Sequence, residues 1–288
     1  MQTFRPALNL LWRTIVVGLV FSSAIVASRL ILHAFGLSVP RFPRQADETS
    51  AIYYLFAGSL MLGAGILPLS RRIGGSRKTR FLTLFSFFFV AFAVSTSIES
   101  AIYSSVSGYY QMIIVFVLPV LLASLVSVLL TYPEVTEERF GERRRAFFGK
   151  RASGEWWWRT LLAVLSFPVV YLVFGIAVSP LVAGYYQGLD YGLTIPGIGI
   201  IIGVQLLRSL LFLLVTLPVM ILWLSRSRQL ILLLGIAHFV FVFAYDIVLA
   251  YQLPFELVAV HGLEILLDSF VYSWIIVTLL YAAKDNHG

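Results

Sequence analysis

The chain has 288 residues, of which 59% are hydrophobic and only 12% charged; its mean hydropathy is +0.91. A soluble domain carries about 25% charged residues, so the composition excludes an ordinary soluble fold, and its apolarity excludes disorder. No cysteine is present, which removes disulfides, thiolate metal sites, iron–sulfur clusters and a cysteine nucleophile; the net charge of +7 has first to be tested as a topology signal.

Crossing a bilayer as a helix takes about 20 apolar residues. Eight segments meet that length, at 11–35, 51–69, 81–104, 111–132, 157–182, 197–224, 230–251 and 258–281. Their runs are too long and unbroken for the alternation of a β-barrel. The first span contains Arg29 and exceeds a signal peptide's apolar core, so it reads as a retained helix. The third span carries Ser95, Glu99 and Tyr103 at i, i+4 and i+8, one helical stripe.

Between the fourth and fifth spans lies the longest connection, 133–156, with six basic and five acidic residues. It reads as a solvated loop; a short surface helix with Phe147 and Phe148 among lipid headgroups is the alternative. Trp156, Trp157 and Trp158 follow as an interfacial aromatic belt. The fifth span holds Pro168 and Pro180 and the sixth Pro218, which mark either broken helices or tolerated kinks. In the sixth span Gln205, Arg208 and Thr216 share a face, and Gly199 and Gly203 form a GxxxG that predicts close helix packing. The seventh span has His238 and, eight residues on, Asp246. The eighth has His261, Glu264, Asp268 and Tyr272, which at 100° per residue fall within a stripe roughly 80° wide.

Lys and Arg set the orientation. Seventeen of the 21 lie at the N-terminus, in the 2–3, 4–5 and 6–7 connections and at Lys284, against only Arg41 and Arg44 on the other side. The positive-inside rule then puts both termini in the cytoplasm. Basic residues spent on orientation give no reason to expect nucleic acid. The predicted fold is an all-α polytopic membrane helix bundle, a single transmembrane domain of about eight spans, N-in and C-in, in the inner (plasma) membrane. Trp12-Arg13-Thr14 and Trp158-Arg159-Thr160, Leu69-Ser70-Arg71 and Leu224-Ser225-Arg226, and Phe92-Ala93 and Phe243-Ala244 suggest a parallel 4+4 repeat.

A charge at the bilayer centre costs about 2.5–3.5 kcal/mol even on the lenient scale, so each buried one needs a partner or a wet cavity. At 1.5 Å per residue Arg208 and Asp268 lie roughly 15 Å from the outer ends of their spans, with Glu264, Asp246 and Glu99 shallower. This predicts a polar vestibule open to the outside, with Asp268–Arg208 as its midplane pair. The substrate- or proton-binding candidates are Glu99, Tyr103, Arg208, Asp246, Glu264, Asp268 and Tyr272, and the leading expectation is a proton- or ion-coupled transporter of a small solute. That reading takes no cofactor. One alternative assembles His261, Glu264, Asp268 and His238 around a divalent metal such as zinc, giving an intramembrane hydrolase of a lipid-type substrate. The other is a non-catalytic sensor or partner subunit that docks a membrane protein through 133–156.

Overall fold

A computed structural model describes residues 4–37, 48–104, 109–131, 139–187 and 191–281. Arg41, Arg44, Asp190, Lys284, residues 133–138 of the long connection and the side chain of Arg5 lie outside the described part. The described residues form nine helices: α1 (Phe4–Ala34), α2 (Glu48–Ser70), α3 (Arg77–Tyr103), α4 (Tyr109–Leu130), α5 (Phe140–Phe148), α6 (Ser153–Gln187), α7 (Ile198–Ile221), α8 (Ser227–Leu249) and α9 (Phe255–Leu280). All except α5 are long and apolar enough to cross a membrane, consistent with a multi-pass integral membrane protein. Each overlaps one of the eight expected spans, with ends that differ by a few residues. Exposed Val169, Val173 and Ile176 give α6 an apolar outer stripe suited to lipid rather than water.

The prolines do not break helices. α6 runs unbroken through Pro168 and Pro180, beyond both expected ends, and α7 continues through Pro218 to Ile221. The irregularity sits instead in α3, where Phe89–Val94 widens into a π turn. A π turn inserts an extra residue and rotates everything after it. Ser95, Glu99 and Tyr103 all follow the turn, so their stripe stays intact. The turn lies in an aromatic core: Phe88 stacks on Phe241 at 4.4 Å, Phe92 meets Phe116 edge-on at 4.7 Å, and Phe21 packs on both Phe88 and Phe92.

Close helix contacts use glycines other than the expected pair. A Cβ on Gly63 would stand 2.8 Å from the Thr14 carbonyl oxygen, so α1 and α2 touch backbone to backbone there. Gly58 lets α2 approach α8 in the same way, next to Val248 and the Ala244 carbonyl. Gly199 and Gly203 have nothing within 4 Å of that position, so their GxxxG packs no helix among the described residues.

At one end of the bundle the α2–α3 and α7–α8 turns pair through Ile73 and Trp223. This end is rich in arginine, and four helices finish here. Each has a guanidinium on its last carbonyls. Buried Arg80 donates to Ser70 O at the end of α2 (2.9 Å) and Thr131 O just past α4 (3.4 Å). Arg143 donates to Leu222 O after α7 (3.3 Å), and Arg151 and Arg159 donate to Leu280 O (2.8 Å) and Leu279 O (3.0 Å) of α9. A helix C-terminus leaves carbonyls unpaired and carries partial negative charge, and arginine answers both.

The connection 139–152 is not simply a solvated loop. Within it α5 buries Phe147, which packs 5.3 Å from the Trp156 ring. Trp156 donates Nε1–H to Phe148 O at 2.9 Å, so it pins α5 while Trp157 stays 78% exposed.

Candidate functional site

α3, α6, α7, α8 and α9 enclose a cavity near the bundle's centre. Its interior has room for more than one water molecule. Glu99, Arg208, His238, His261, Glu264, Asp268 and Tyr272 line it, along with Phe167, Tyr171, Phe212, Val242, Ile265 and Ser269. The α9 stripe thus faces inward, as a polar stripe on an apolar helix should.

Arg208, buried to 3% exposure, is the hub. Its Nη1 lies 2.6 Å from Glu99 Oε1 and donates to Gln205 Oε1 at 3.1 Å, while Nη2 donates to Ser95 Oγ at 2.9 Å. The guanidinium also sits 5.7 Å from the ring centre of Phe167 and 5.6 Å from that of Phe212, within cation–π range. The expected Asp268–Arg208 pair is therefore replaced by Glu99–Arg208. The reason is side-chain lean. Every Cα–Cβ bond tilts toward its helix N-terminus, and α3 and α7 run in opposite directions. Glu99 therefore leans down toward the bundle centre, and Arg208 leans up to meet it. Cα depths alone miss this convergence.

His261 occupies a second node between two carboxylates. Its Nδ1 is 3.1 Å from Glu264 Oε2, and its Nε2 is 3.7 Å from Asp246 Oδ2. Glu264 is reached from α6 at Gly175, where a Cβ would stand 3.1 Å from Oε1. Asp268 is the third element. It is 7% exposed and its Oδ1 has no hydrogen-bond partner among the described residues, an unusual condition for a buried carboxylate. Openness falls with depth. The side chains of His261, Glu99 and Asp246 are 31%, 25% and 21% exposed, while Glu264, Asp268 and Arg208 are buried.

On the other side of the cavity, His238 contacts Ser273 Oγ through Nδ1 (3.0 Å) and Thr216 Oγ1 through Nε2 (3.4 Å), with the Phe87 ring beside it. It is a satisfied core histidine. Tyr272 shares a hydrogen bond with Ser209 (3.2 Å). Tyr103 is not among the cavity-lining residues, but its hydroxyl accepts from Tyr171 at 2.7 Å. The metal set His261, Glu264, Asp268 and His238 does not converge: both nitrogens of His238 are engaged, and the carboxylates at His261 face opposite ring atoms. Among the described residues, no group of three or more His, Asp or Glu side chains is arranged to hold a metal ion.

Sequence reasoning missed the wall contributed by α6. Phe167, Tyr171 and Gly175 recur at i, i+4 and i+8, the same spacing as the Ser95, Glu99 and Tyr103 stripe of α3. The chain matches no protein-family model, no curated protein and no solved structure.

Proposed function

We propose that the protein is a proton-coupled transporter of a small solute, multi-pass in the plasma membrane with both termini cytoplasmic. One observation carries this reading. A cavity lined by membrane-length helices holds three carboxylates in different charge settings: Glu99 is paired with Arg208, Glu264 with His261, and Asp268 has no charge partner among the described residues. A protonation change at any of them alters which pairs can persist in a low dielectric, and that couples charge to conformation. The exposure gradient supports access from the end remote from the arginines. The positive-inside rule makes that end the outer one.

A parallel 4+4 repeat fits the same reading, as in transporters whose halves are related by an axis along the membrane normal. It is supported by two reciprocal hydrogen bonds, Gly74 N to Leu222 O (2.8 Å) and Leu224 N to Arg72 O (3.0 Å). They join the corresponding turns of the two halves, α2–α3 and α7–α8, and aligning those turns on Ile73 and Trp223 is a shift of 150 residues. In that register the Leu69-Ser70-Arg71 and Leu224-Ser225-Arg226 match falls five residues out of step. Arg208 is equivalent to Gly58 and His238 to Phe88, so most of the polar site comes from the second half, while the first supplies Glu99 and Ser95.

The test is solute-dependent proton movement in proteoliposomes bearing an imposed pH gradient, across a panel of small charged and neutral solutes. The reading expects movement with at least one solute, abolished by Asp268→Asn and strongly reduced by Glu264→Gln. Undiminished movement in both variants would remove the cluster as the coupling site.

A further inference from the structure

We propose that the cavity selects a small organic ammonium cation, its charge held by Asp268 and its alkyl part by the aromatic walls. As a statement about the transported solute, this rests on the transport reading; as a binding site, it stands alone. Of the carboxylates lining the cavity, Glu99 already has Arg208 at 2.6 Å and Glu264 has His261 at 3.1 Å. Asp268 is only 7% exposed, and its Oδ1 has no partner among the described residues. A buried carboxylate oxygen without a partner calls for a proton or a cation.

The walls say which kind of cation. Phe167, Phe212, Tyr171 and Tyr272 line the same space, and aromatic faces beside a carboxylate are how proteins recognise ammonium groups. Two of these rings already hold a cation, because the Arg208 guanidinium lies 5.7 and 5.6 Å from their centres. An inorganic metal ion would instead want converging oxygen or nitrogen ligands, and no such set exists among the described residues. An anion is disfavoured too: both terminal nitrogens of Arg208 are engaged by Glu99, Gln205 and Ser95, leaving only its buried Nε as a donor, and the anion would face the carboxylates of Glu99, Glu264 and Asp268. Room for only a few water-sized groups limits the guest to a few heavy atoms without rearrangement. Methylammonium and ethylammonium are of that size.

Equilibrium binding to detergent-purified protein tests this, with ethylammonium chloride titrated by calorimetry and thermal stabilisation beside sodium acetate, ethanol and sodium chloride. Saturable binding of ethylammonium alone is expected, with competition by methylammonium. Asp268→Asn should weaken it at least tenfold and Phe212→Leu several-fold. Absence of saturable ethylammonium binding, equal binding of acetate, or unchanged affinity in Asp268→Asn would overturn the proposal. If Asp268→Asn fails to fold, Phe212→Leu decides, and unchanged affinity there overturns it as well. No membrane or gradient is involved. Binding without flux would therefore defeat only the transport reading, and proton-coupled flux without ammonium binding would defeat only this one.

Discussion

Replacing one partner of the Glu99–Arg208 pair at a time should have unequal consequences. In Glu99→Gln the guanidinium keeps its charge, because arginine does not deprotonate in proteins, and it is 3% exposed. Its remaining acceptors, Gln205 Oε1 and Ser95 Oγ, are neutral. Leaving a buried charge uncompensated costs about 3–5 kcal/mol, and the two ring faces return only about 0.5–2 kcal/mol. In Arg208→Met the stranded group is Glu99, whose side chain is 25% exposed. It can take up water, so the loss should fall to about 3 kcal/mol, at the lower edge of the range for broken buried pairs. The double variant leaves neither charge and should be less destabilised than Glu99→Gln alone. Reversible unfolding in mixed detergent micelles measures all three. Additive single effects, or Arg208→Met more damaging than Glu99→Gln, would refute the pairing and the burial argument behind it.

Other outcomes follow from the same contacts. Arg80→Met leaves the ends of α2 and α4 without their shared donor, so stability should fall by about 2–4 kcal/mol, with several hydrogen bonds to a charged group lost at once. Arg80→Lys should rescue only part of this, because one ammonium cannot match a guanidinium fork across two helices. Gly175→Ala should be tolerated, since the Glu264 carboxylate can shift by a few tenths of an ångström. Gly175→Leu should fold but block solute movement by filling the approach to Glu264. The chain has no cysteine, so single cysteines can be placed in it directly. One at Lys150 should react with an impermeant thiol reagent only from the cytoplasmic side, and one at Gln252 only from the outside.

Much of the architecture was legible because a bilayer enforces simple rules. Long apolar runs gave the eight membrane-length helices, and polar stripes on α3 and α9 pointed inward because lipid would not solvate them. The Arg208 partner was not legible, because it depends on opposite lean in antiparallel helices rather than on depth along the chain. Phe167, Tyr171 and Gly175 were hidden because an aromatic stripe on an apolar helix has no contrast in hydropathy. The arginines read as orientation signals, and nothing in their spacing revealed that Arg143 and Arg151 cap helices 79 and 129 residues away. The π turn in α3 likewise follows from packing among Phe21, Phe88, Phe92 and Phe241 and has no mark of its own in the sequence.

The central claim is that the buried carboxylates of the cavity exchange protons as solute moves. It is tested most directly by counting protons and solute together in proteoliposomes, wild type beside Asp268→Asn. A fixed ratio of proton to solute is expected in the wild type, with loss of proton movement in the variant. Solute flux that carries no protons in the wild type, or the same ratio in Asp268→Asn, would contradict it.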